Sequence, residues 1–310
     1  MSPLRTLISV AALRELLVAT PPAPGAALAP VPATAPATSP ATSPASTAGA
    51  ALAIVDCRAD LMRPQLGYES YLAAHLPGAR FADLATVLSD PVVPGRTGRH
   101  PLPDMARFIA AAAALGIGDD TTVVCYDQGP GAFAARLWWL LRWMGHAQVA
   151  VLDGGMNAWQ GQGYPVDTGP ALPVTPARLS RRPTLTRTID AAQLASVGLL
   201  LDARDPPRYR GDVEPIDSRA GHIPGAVNAP FATNLAASGS FKTPAQLHAL
   251  YAALGATTAD VAVYCGSGVT ACHNILGLVH AGGTEPALYP GSFSEWITDP
   301  AHAVITGPAP

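Results

Sequence analysis

Cys265 opens a stretch whose residue types suit nucleophilic chemistry. It follows the apolar run Val261-Ala262-Val263-Tyr264 and precedes Gly266-Ser267-Gly268-Val269-Thr270, after which an apolar-rich run continues to His280. The β-branched and aromatic residues predict a short buried strand, and the run from Thr270 predicts a helix. Between them, Gly266 and Gly268 let the backbone turn sharply, so that several peptide N–H groups point at one spot with the positive end of the helix behind them. Such a cradle stabilises an anion, and the nearest candidate is the sulfur of Cys265. Thiols in settings of this kind ionise near neutral pH, and the thiolate is the nucleophile. On the residues alone, a buried cysteine closing a strand before an ordinary glycine turn fits as well.

The elements that would position this loop occur twice. Asp56-Cys57-Arg58 is echoed by Asp202-Ala203-Arg204, and His75-Leu76-Pro77-Gly78-Ala79 by His222-Ile223-Pro224-Gly225-Ala226, at separations of 146 and 147 residues. Val123-Val124-Cys125-Tyr126-Asp127 matches Val261 through Cys265, and Gly154 with Trp159 matches Gly291 with Trp296, at separations of 138 and 137. A repeat of this length in fixed order predicts two copies of one domain. In the first copy the pattern reads strand Ala53–Asp56, helix Met105–Leu115, strand Thr122–Tyr126, helix Gly131–Trp143 and strand Val149–Leu152. Such alternation predicts a parallel sheet flanked by helices, with the ligand site beyond the carboxyl ends of the strands, where Cys265 falls. The equivalent position in the first copy is Asp127, which cannot serve the same chemistry. One active site per chain follows.

Composition sets the outer bounds. The chain has 310 residues, 49% of them hydrophobic and 13% charged, enough for two α/β domains of ordinary size. A net charge of −3, with Lys242 the sole lysine, argues against nucleic acid as a partner. Cysteines at 57, 125, 265 and 272 have neither metal-ligand spacing nor disulfide density, which favours reduced thiols in the cytoplasm and no metal. No stretch reads as a transmembrane span. Leu7, Val10, Leu13, Leu16 and Leu17 fall on one helical face after a capping Ser9, which predicts a short amphipathic helix. Residues 20–50, rich in Pro, Ala, Thr and Ser, read as a flexible or extended insert before the first strand of the first copy. The expected organisation is an N-terminal domain over 1–166, a Pro-rich linker over 167–187 and a C-terminal domain over 188–310.

The paired domains, the Asp-x-Arg strand ends, the His-x-Pro-Gly-Ala turns and the loop from Cys265 to Thr270 together resemble a tandem rhodanese-type sulfurtransferase, of the thiosulfate and 3-mercaptopyruvate sulfurtransferase family. The resemblance covers nearly the whole chain outside the insert. It implies an inactive first domain and a second domain whose Cys265 carries a persulfide held by the N–H groups of the loop, with no cofactor. A donor, 3-mercaptopyruvate or thiosulfate, loads the sulfur, and a thiol such as thioredoxin or a small thiol, or cyanide, removes it. The Gly-Ser after the cysteine resembles the 3-mercaptopyruvate branch. A non-catalytic rhodanese-like binding module is the alternative. A related phosphatase would need an arginine six places after the cysteine, where Ala271 stands.

The resemblance also suggests roles for other residues. Ser267 would hydrogen-bond the reacting group, Thr270 would cap the helix or donate to the sulfur, and Arg208 would bind the donor's anionic end. His100, in His100-Pro101-Leu102-Pro103, matches a histidine that assists the loop serine in some members. Its expected acidic partner, two places after Asp83, is Ala85. A second donor-binding arginine usually follows a Glu-Pro segment; here Glu214-Pro215-Ile216 leads to Asp217, with Arg210 or Arg219 as substitutes. An acid at 217 would weaken the grip on a carboxylate, and the loop itself brings no positive charge to Cys265. Cys272 reads as a small core residue.

Overall fold

Strands whose side chains are apolar on both faces must be covered on both sides, and each half of this chain is built that way. The structure, a computed structural model, describes residues 6–19, 51–257 and 260–308. The expected insert over 20–50 lies outside the described residues. In the first half, β1 (Leu7–Ile8), β2 (Leu52–Asp56), β3 (Arg80–Phe81), β4 (Thr122–Tyr126) and β5 (Val149–Leu152) form a parallel sheet in the order β1-β5-β4-β2-β3. In the second, β6 (Arg187–Thr188), β7 (Leu199–Asp202), β8 (Ala226–Asn228), β9 (Val261–Tyr264) and β10 (Ala287–Leu288) repeat that order as β6-β10-β9-β7-β8. Each domain is therefore an α/β unit with a five-stranded parallel sheet, as the repeat predicts.

The edge strands correct two expectations. Leu7 belongs to β1 and not to the first helix, which runs from Val10 to Ala19 with Ser9 Oγ accepting the Ala12 N–H at 3.2 Å. The end of the expected linker, at Arg187, is already β6, paired with β10. The rest of the linker is fastened to the first domain: Asp167 bridges to His75, Ala177 N donates to the Ala113 carbonyl, and Leu185 N to the Arg142 carbonyl. Ile305 makes the bridge to His222 that Asp167 makes to His75, so the chain's tail treats the second domain as the linker treats the first.

The repeated Asp-x-Arg signature ties each central strand to the turn beyond it. Arg204 Nε and Nη2 grip both oxygens of Asp202, and Nη2 also donates to the Gly221 carbonyl at 2.7 Å. Arg58 does the same with Asp56 and the Ala74 carbonyl. Both pairs are buried, where a charge is stable only with this degree of compensation.

The helices Ala132–Trp143 and Thr270–His280, each following the equivalent loop of its own domain, pack against one another. Nine of the twelve residues of the first and eight of the eleven of the second are buried, because each is enclosed by its sheet on one side and its twin on the other. A single apolar cluster runs through this contact, from Val55 and Leu137 to Val263 and Ile275, while each domain keeps a smaller cluster on its outer face. Polar contacts cross the same interface: His273 Nε2 with the Pro130 carbonyl at 2.8 Å, and an ion pair between Arg142 and Glu285. Among the described residues, no helix is long and apolar enough to cross a membrane.

Candidate active site

At the carboxyl end of β9 the chain turns as the glycines anticipate. Gly268 adopts φ +78°, and a Cβ there would stand 2.4 Å from the Pro290 carbonyl oxygen, so both conformation and space demand glycine. The turn swings the Gly268 N–H onto Cys265 Sγ at 3.1 Å. Cys265 is 2% exposed at the bottom of the loop. Its own N–H is held by Ser292 Oγ at 3.2 Å, and that hydroxyl donates to the Tyr289 carbonyl. Ser292 holds this position under backbone strain, being the sole non-glycine residue at positive φ (+55°) among those described.

Ser267 is 4% exposed, and its Oγ lies 2.7 Å from Nδ1 of His100, which comes from the first domain. Burial, reinforced by the cations Arg136 and Arg99, pushes the His100 imidazole down to about 4, so the ring is neutral at physiological pH. A neutral ring can accept the serine proton or donate to its oxygen. Among the described residues no carboxylate completes this pair: Asp83 Oδ1 is occupied by the N–H groups of Ala85 and Thr86 and by the Thr86 hydroxyl. Val269 is packed in the core as the N-cap of the following helix, with no side-chain cap bond. Thr270 is therefore the first helical residue and does not cap.

The charges around the loop differ from the sequence expectation. Arg208 is present at the mouth, held by Glu214 at 2.7 Å and by Asp217 at 3.0 Å. Asp217 is 3% exposed and pairs at the same time with Arg99 of the first domain. It is thus the hub of two guanidinium groups and not a bare acid. Arg210 pairs with the exposed Asp212. Glu214 also reaches Arg204 at 3.5 Å, which links the site to the structural Asp202 pair. Beneath the loop, the fully buried Arg136 donates to the carbonyls of Gly268 (3.0 Å) and His100 (3.1 Å). Cys265 sits within electrostatic reach of both Arg99 and Arg136. The loop brings no cation of its own, but its neighbours supply several.

The other three thiols are set apart by their surroundings. Burial pushes Cys272 up to about 12, and raises Cys57 and Cys125 well above ordinary thiol values. Cys272 Sγ donates to the Gly268 carbonyl at 3.3 Å, a structural contact.

This two-fold arrangement has relatives. The description "Rhodanese-like domain" matches residues 44–162 and again 184–299. The chain belongs to the rhodanese family. This rhodanese pair is 50% identical, over 83% of its length and 93% of the other chain, to a protein of Pseudomonas aeruginosa named probable 3-mercaptopyruvate sulfurtransferase. It is 43% identical, over 84% and 93%, to a putative thiosulfate sulfurtransferase of Mycobacterium tuberculosis. Among solved structures it resembles the 3-mercaptopyruvate sulfurtransferase of Leishmania major, with 33% identity, a TM-score of 0.71, and coverage of 79% and 70%. It also resembles SseA of Escherichia coli, with 31% identity, a TM-score of 0.68, and coverage of 79% and 93%. This rhodanese is a sulfurtransferase, a tandem repeat of one domain. The residues that sequence reasoning passed over are Arg99, Arg136 and Ser292. Arg99 stands beside the motif residue His100, and the acid at 217, where the resemblance leads one to expect an arginine, is the residue it pairs with.

Proposed function

We propose that the enzyme moves sulfur from 3-mercaptopyruvate to a thiol or cyanide through a persulfide on Cys265, and that only the second domain carries the nucleophile. The observation that carries this reading is the Gly268 N–H directed at Cys265 Sγ inside a loop ringed by cations. The Cys265 thiolate attacks the donor's thiol sulfur, an S–S bond forms, and the C–S electron pair leaves as the enolate of pyruvate, which then takes a proton. The cradle of N–H groups holds the persulfide. An acceptor thiol next attacks the outer sulfur, leaving with it as a new persulfide and regenerating Cys265; cyanide leaves as thiocyanate. Ser267, with neutral His100 behind it, is positioned to hydrogen-bond the donor's carbonyl oxygen as enolate charge develops there.

Arg208 would receive the donor's carboxylate. Asp217, the acid expected to weaken the grip on a carboxylate, is itself paired with two guanidinium groups, which supports a firmer grip. The test compares kcat/KM for 3-mercaptopyruvate and thiosulfate at one acceptor concentration, with intact mass reporting the added sulfur. The expected outcome is a higher value for 3-mercaptopyruvate and one extra sulfur on Cys265. A better reaction with thiosulfate would refute the choice of donor.

A further inference from the structure

Two guanidinium groups from different domains converge on one glycine. A Cβ on Gly266 would stand 2.7 Å from Arg99 Nη2 and 3.5 Å from Arg208 Nη1. A side chain at 266 would therefore push Arg99 aside, and glycine at this position leaves room for the arginine. The far ends of both guanidinium groups are tied down: Arg99 Nη1 to Asp217 Oδ1, Arg208 Nη2 to Asp217 Oδ2 and Glu214 Oε1, and Arg208 Nε to Glu214 Oε2. Arg99 Nη2 and Arg208 Nη1 make no hydrogen bond to the described residues. Their side chains are 27% and 18% exposed, whereas the acids behind them are 3% exposed. The arrangement is a pair of fixed cations, backed by a shared carboxylate, whose unused donors face the mouth of the Cys265 loop.

We propose that Arg99, from the domain without a nucleophile, is the second ligand of the donor's carboxylate, and that Asp217 positions it opposite Arg208. The inference rests on the reading of 3-mercaptopyruvate as donor and deepens it. A planar carboxylate two carbons from the carbon bearing the sulfur presents one oxygen to each guanidinium while the sulfur reaches Cys265. The acid at 217, where the resemblance leads one to expect an arginine, then marks a transposition: the cation has moved to the first domain and its counter-charge to the second. Donor binding thus requires both domains.

The test pairs 3-mercaptopyruvate with mercaptoacetone, which keeps the thiol and ketone but carries a methyl group in place of the carboxylate. The quantity read is the ratio of kcat/KM for the two donors, measured on one preparation so that any partial misfolding cancels. Arg99→Gln is expected to lower the ratio about 10- to 100-fold, as loss of a charged hydrogen bond implies. The fall should appear mainly in KM for 3-mercaptopyruvate, and Arg99→Lys should lose less. Asp217→Arg placed in the Arg99→Ala background should recover part of the ratio, which a purely structural ion pair would not do. A ratio unchanged in both Arg99→Gln and Arg99→Lys, with normal sulfur loading of Cys265, overturns this proposal alone. A native enzyme that gains no sulfur from 3-mercaptopyruvate overturns the donor reading and this proposal with it.

Discussion

Asp127 and Cys265 end equivalent strands, and each leads through a glycine turn into an interface helix. In the first domain the Asp127 carboxylate accepts N–H groups from Gly129 (3.0 Å), Gly131 (2.9 Å) and Phe133 (2.9 Å). In the second domain Cys265 Sγ accepts one, from Gly268. The same backbone cradle holds a carboxylate side chain in one copy, whose pKa burial raises, and a thiol in the other. A second contrast lies beside it. Gly155 sits at φ +54°, where a Cβ would strike the Asp127 carbonyl oxygen at 2.4 Å; its counterpart Ser292 keeps φ +55° and uses its hydroxyl to hold the Cys265 N–H. Strain that the first copy avoids with glycine is retained in the second, where it fixes the Cys265 backbone. The difference teaches that one fold can present the same loop either with a side chain tying up its N–H groups or with a thiol at its base.

The largest effect expected from this comparison is on the nucleophile. Cys265→Ser should lower sulfur transfer by at least about 10³-fold with the fold intact, since a hydroxyl ionises far less readily. Adding Asp127→Cys to that variant should restore nothing, because the Arg99 and Arg208 pair surrounds only the second loop. Steady-state assays with circular dichroism check both, and recovered turnover would break the comparison. Next comes the anchor itself. Asp127→Ala orphans three N–H groups, two of them buried, and should lower unfolding free energy by about 3 kcal/mol, whereas Cys265→Ala should lose about 1 kcal/mol; urea titrations at one pH separate them.

The sequence made the duplicated architecture readable because order and spacing repeat, and the central strands β2, β4, β5 and β9 fall where β-branched runs predict them. The edge strands β1 and β6 were not readable: two residues carry no periodicity, and Leu7 fits an amphipathic helix as well as a strand. Within the site, Cys265, Ser267, Arg208 and His100 were recognisable as motif positions. Arg99 and Arg136 were not, since their partners Asp217 and Gly268 lie more than a hundred residues away along the chain, across an interface that only the folded repeat creates.

A smaller effect sharpens the contrast between the loops through pH. Burial holds His100 and His273 down to about 4 in the native protein, against roughly 6.5 unfolded. Between those values the unfolded chain binds protons that the native one refuses, so stability is full above about pH 6.5 and is lost as pH falls towards 4. His100→Gln should shrink that loss by on the order of 1 kcal/mol, read from urea midpoints at pH 7 and 4.5; an unchanged slope would show that His100 titrates normally. The smallest effect concerns the spare thiols. Cys57→Ala, Cys125→Ala and Cys272→Ala should each keep kcat within about twofold, because burial keeps those sulfurs protonated, and alkylation of the native enzyme should place a single label, on Cys265.

Arg136 has one more consequence. It belongs to the first domain by sequence, yet its guanidinium is sealed beneath the second domain's loop, on the Gly268 carbonyl. The peptide segment that aims its N–H at the sulfur is thereby braced from outside its own domain. A nascent or truncated second half, lacking that brace, would expose a poorly arranged thiol in place of a competent one. The loop is therefore held in part from across the domain contact, and an agent that loosens that contact is expected to lower turnover.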